Sequence, residues 1–71
     1  MVTIFKTNVY NSKDENYLLE NILCQKYPNH KINFDLEDCD KILRIEGREN
    51  LNTDDVVALL DNCGFYCEEL E

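Results

Sequence analysis

Four thiols and one imidazole are the soft ligands of this chain: Cys24, Cys39, Cys63, Cys67 and His30. Thiolates bind soft cations, exchange disulfides or attack electrophiles, and the spacing decides which. No two of these cysteines stand as Cys-x-x-Cys, the short pattern that aims two thiolates at one cation or one redox pair. A single histidine supplies no imidazole pair for zinc. The carboxylates of Asp35, Glu37, Asp38 and Asp40 crowd together, but on a strand face and a turn. Acid–base work needs a cleft that separates two pKa values, and a chain of 71 residues offers little cleft. The two glycines, Gly47 and Gly64, stand too far apart for a phosphate loop. No enzyme is expected, and no cofactor.

Composition narrows the classes further. Seventy-one residues make a single domain, 1–71, with a modest core. The hydrophobic fraction, 44%, is that of a folded chain rather than a disordered one. The net charge is −8, from 15 acids against 7 bases, which repels phosphate and argues against nucleic acid. No apolar run reaches the length of a membrane span, so no membrane partner is expected. The opening MVTIFKTNVY alternates like a strand and lacks a signal-peptide pattern, which makes a cytoplasmic location the expectation. The even cysteine count then reads as reduced thiols, not as two disulfides.

The elements follow from period. Residues 2–9 alternate, with Phe5, Thr7 and Val9 on one face and Ile4, Lys6 and Asn8 on the other, which predicts a strand. Asn11 or Ser12 can cap a helix whose stripe is Leu18, Leu19, Ile22 and Leu23, ending at Pro28-Asn29. Residues 31–37 and 41–46 alternate about the polar turn Asp38-Cys39-Asp40, a hairpin. Asn52 or Thr53 caps a second helix striped by Val56, Val57, Leu59, Leu60 and Cys63, and Gly64 suits a left-handed cap. Residues 65–70 make a short, charged edge strand. The order βαββαβ predicts an α+β ferredoxin-like sandwich: a four-stranded antiparallel sheet, order 4-1-3-2, with two helices on one face.

With these segments in place, the chain resembles the heavy-metal-associated domain, the fold of copper chaperones and mercury carriers. "INFDLED" and "LLDNCGFYCE" carry most of the likeness, which covers nearly the whole length. The family's metal motif, Met-x-Cys-x-x-Cys, lies at the first strand–helix turn. Laid on this chain, its Met position falls near Val9 and its cysteines on Asn11 and Asp14. An amide and a carboxylate are hard, weak ligands for Cu(I), so the resemblance implies a domain that has lost its two-cysteine site.

Topology also disperses the remaining sulfurs. The first loop, the turn at 38–40 and the turn at 63–65 share one end of the sheet, here called the top. Cys24 sits late on a helix running down from it, and His30 at the bottom reads as a solvated loop residue. Cys67 lies roughly 10 Å below the top, at about 3.3 Å per strand residue. Cys63 and Cys67 read as core packing, Cys24 as a helix filler and Cys39 as an exposed thiol. The alternative is a copper or zinc carrier with improvised ligands: Cys63 with Asp14, and Cys39 beside them.

The sheet face turned away from the helices should carry Ile4, Lys6, Ile42, Arg44, Tyr66 and Leu70. Apolar side chains on an uncovered sheet mark a protein partner or a homodimer. The sequence therefore points first to a small non-enzymatic binding module with an open sheet face and no metal ion. A metal carrier comes second, and a small-molecule sensor of the same topology third.

Overall fold

A computed structural model describes residues 1–37, 39–48 and 51–70. Strand β1, Val2–Thr7, forms where the alternation is cleanest and buries Phe5 and Thr7. Asn11 caps the first helix, residues 12–26, from an extended backbone (φ −134°, ψ 156°), and Asp14 and Glu15 occupy its first turn. This helix is α-helical over Ser12–Tyr17 and Cys24–Lys26, with a π-helical stretch, Leu18–Leu23, between. Cys24 N–H accordingly donates to the Leu19 carbonyl five residues back. The stretch has a packing reason. In an α-helix, at about 100° per residue, residues five apart lie roughly 140° away from each other. The wider π turn brings Leu18 and Leu23 onto one side, where both are fully buried.

Strands β2, Lys31–Asp35, and β3, Ile42–Glu46, pair antiparallel, with Phe34 opposite Leu43 and Ile32 opposite Ile45. The connection between them is longer than the sequence suggested, because β2 stops at Asp35. Asp38, which was expected in this turn, lies outside the described residues. Lys41, the last residue before β3, holds a left-handed backbone at φ 50°. The second helix, Thr53–Asn62, is capped by Asn52, whose Oδ1 accepts from Asp55 N–H at 3.3 Å. It ends in a Schellman pair: Phe65 N–H donates to Leu60 O and Gly64 N–H to Asp61 O, both at 2.9 Å. Gly64 provides the required positive φ of 88°. Strand β4, Cys67–Leu70, begins two residues later than expected and ends at the expected residue.

The sheet is antiparallel throughout, in the order β2-β3-β1-β4, which read from its other edge is 4-1-3-2. Phe5, Leu43, Ile45 and Cys67 from one sheet face meet Leu18, Leu23, Val56 and Leu60 from the two helices in one buried cluster, with Val9 beside them. At about 1.5–3 kcal/mol for each large apolar side chain buried, this layer is the main stabilising term. Ile32, Phe34, Leu36 and Phe65 pack against it from half-buried positions. No helix among the described residues is long and apolar enough to cross a membrane.

Candidate functional site

Three places bear on function: the first loop at the top, the open sheet face, and a groove at the bottom. The top is organised by Thr7. Its hydroxyl donates to the Lys41 carbonyl at 2.6 Å and accepts from Val9 N–H at 3.2 Å, while Thr7 N–H donates to Asp40 O. One buried side chain thus ties the end of β1 to the β2–β3 connection and sets the path of the following loop. Asn8 Oδ1 then accepts from Tyr66 N–H at 2.8 Å, which joins the same loop to the approach of β4.

Within that loop, Asn11 and Asp14 are brought together. Asp14 N–H donates to Asn11 Oδ1 and Asn11 Nδ2 donates to Asp14 Oδ2, at 2.9 and 3.0 Å. Both polar groups therefore already serve the helix start. Cys63 is half-buried and packs against the core, Cys39 and Cys24 are exposed, and all four thiols are free. Cys67, the first residue of β4, is buried in the core, and burial pushes its thiol up to about 11. Such a thiol is a poor nucleophile and a poor ligand near neutral pH. Among the described residues, no three His, Cys, Asp or Glu side chains lie close enough to hold a metal ion. The set Cys63, Asp14 and Cys39 is not assembled.

On the open face, the strand registers align Asn33, Arg44, Ile4 and Leu70 in one row and Asp35, Ile42, Lys6 and Glu68 in the next. Ile4 is 37% exposed and Tyr66 48%. Lys31, Lys6 and Arg44 stand among Asp35, Glu46 and Glu68 on the same side. Arg44 bridges to Glu46 at 3.1 Å, Lys6 lies 3.7 Å from Asp40, and Tyr66 Oη donates to Glu68. The strand registers set Ile4, Lys6, Ile42, Arg44 and Leu70 on one face, and Tyr66, which precedes β4, lies against Glu68 of that face through its hydroxyl.

The groove at the bottom went unread in the sequence. It is an open groove of about 750 Å³ between the end of the first helix, the start of β2 and the end of β3. Lys26, Tyr27, His30, Lys31, Glu46, Gly47 and Arg48 are among the residues that line it. His30 is no solvated loop residue: its ring is half-buried, edge-on to Tyr27 with centroids 5.7 Å apart, and lies against Gly47. A Cβ at Gly47 would sit 2.8 Å from His30 Nε2, so glycine makes room for the imidazole. Among the described residues, neither His30 side-chain nitrogen nor the Tyr27 hydroxyl has a hydrogen-bond partner, and all three atoms are buried. Burial, with a smaller contribution from the Asp55 carboxylate, raises the Tyr27 pKa and keeps the phenol protonated as a donor. The one signal that sequence offers is the Tyr-Pro-Asn-His stretch, residues 27–30, whose imidazole acquires its setting only when Gly47 arrives from β3.

The chain gives no match to protein-family models, to curated proteins or to solved structures.

Proposed function

We propose that this chain is a non-enzymatic interaction module of ferredoxin-like, heavy-metal-associated-like topology, without the two-cysteine metal site, that pairs with a second copy of itself through its open sheet face. The charge distribution of that face carries the reading. The molecule as a whole bears −8, which opposes self-association. The open face instead sets Lys6, Lys31 and Arg44 among Asp35, Glu46 and Glu68, with Val2, Ile4, Ile42, Tyr66 and Leu70 between them. A patch that holds charges of both signs and apolar side chains between them can be self-complementary, as a two-fold interface requires. The Asn11–Asp14 pair supports the other half of the reading, because the loop that would hold a soft cation spends its polar atoms on the helix cap.

Sedimentation equilibrium tests it. The wild type is expected to show a concentration-dependent dimer, and Ile4→Asp, which places a carboxylate in the middle of the patch, to remain monomeric with unchanged circular dichroism. A wild type that stays monomeric at millimolar chain, or an Ile4→Asp variant that dimerises equally well, overturns it. A monomer that instead captures a different protein through this face would replace the second copy with that partner.

A further inference from the structure

We infer that the groove at the bottom of the molecule is a binding site for a small organic carboxylate with an apolar body, of the size of an aromatic acid. Three observations converge on it. The first is space: about 750 Å³ falls within the range of small-molecule sites. The second is unmet hydrogen bonding. Buried polar side chains nearly always have partners, yet Tyr27 Oη, His30 Nδ1 and His30 Nε2 have none among the described residues, and both residues line the groove. Unpartnered buried polar atoms destabilise a fold, and an acceptor brought by a ligand would satisfy the phenol O–H and one imidazole N–H.

The third is charge. Only seven lysines and arginines occur in the chain, and three of them, Lys26, Lys31 and Arg48, line this groove. Glu46 is the single carboxylate among the described lining residues; Asp55 acts on Tyr27 from the second helix, outside the lining. In a molecule of net charge −8, such a basic mouth favours an anion locally. Met1, Pro28 and Leu51, with the Tyr27 ring, supply apolar wall, which selects an anion that carries a hydrocarbon body over a bare ion. The carboxylate would sit between the cations, and the ring would lie beside Tyr27. Because the His30 nitrogens are covered, docking includes a rotation of the imidazole toward the ligand, and its resonances report binding.

The test uses the isotopically labelled full chain and three probes: benzoate, its neutral analogue benzamide, and inorganic phosphate. Millimolar benzoate is expected to shift the His30 imidazole signals and the amides of residues 26–31 and 46–48. Benzamide should bind at least about tenfold more weakly, as should benzoate to Arg48→Glu, while the exposed Lys13→Glu binds benzoate as the wild type does. Lys31 and Glu46 border both surfaces but Ile4 does not line the groove, so Ile4→Asp, with the pairing face disrupted, is expected to retain binding. No His30 shift with benzoate, equal affinity for benzamide, or undiminished binding by Arg48→Glu overturns the assignment. Phosphate binding more tightly than benzoate overturns the apolar-body specificity.

Discussion

Asn11 and Asp14 hold each other across the first turn of the first helix, the Asp14 N–H donating to Asn11 Oδ1 and Asn11 Nδ2 donating to the Asp14 carboxylate. Three residues apart, their side chains reach the same point from the same side. That is the geometry in which two thiolates would share one cation.

Two outcomes follow from this pair. Asn11→Ala removes the cap and should lower stability by about 1 kcal/mol in urea denaturation. Asn11→Cys combined with Asp14→Cys should create a thiolate pair at a helix N-terminus and bind Cu(I) more tightly than the wild type. Anaerobic titration against a competing chelator reads both proteins. A double variant that binds no better than the wild type would remove the heavy-metal-associated comparison from the argument about this loop.

Cys67 makes stability sensitive to alkali. Its thiol is held up to about 11 in the folded chain, against an ordinary value of 9.0. As pH rises through that interval the unfolded chain releases the proton first and so binds fewer protons than the folded one. Stability therefore falls with rising pH, and the loss levels off once the folded thiol has also ionised. Urea midpoints followed from neutral pH to pH 11 should decline more steeply for the wild type than for Cys67→Ala. Tyr27, whose pKa is also raised, contributes the same slope to both proteins, so the difference isolates the thiol. Parallel curves would mean that Cys67 is not buried as described.

Local period made most of this fold legible. Alternation placed Phe5, Leu43 and Ile45 inward, and Gly64 after the second helical stripe marked its stop, because each signal lies within a few residues of the feature it specifies. The π stretch was written in Leu18 and Leu23, five apart, but the neighbouring Leu19 and Ile22 satisfy an α-helical stripe equally well and hide it. The ends of β1 and β4 were overextended because Asn8 spends its side chain on Tyr66 N–H, a contact across 58 residues that no window contains. The groove was invisible for a similar reason. His30 carries no pattern of its own, and what buries it is an absent side chain seventeen positions along.

That absence gives the last prediction. At Gly47 an added Cβ would meet the His30 ring, at 2.8 Å from Nε2 and 3.1 Å from Cγ, so the imidazole must shift to admit it. Backbone bonds on both sides of Gly47 hold it in place: its N–H donates to Met1 O at 2.9 Å and its carbonyl accepts from Met1 N at 2.6 Å. Gly47→Ala should therefore destabilise the chain by roughly 1–3 kcal/mol, the range for overpacking a well-filled site. If the clash is the cause, His30→Ala must relieve it. Measured in a double-mutant cycle, the cost of Gly47→Ala should shrink to a few tenths of a kcal/mol once the imidazole is gone. A cost that persists undiminished in the His30→Ala background would place the strain in the Gly47 backbone and sever the contact on which the groove is built.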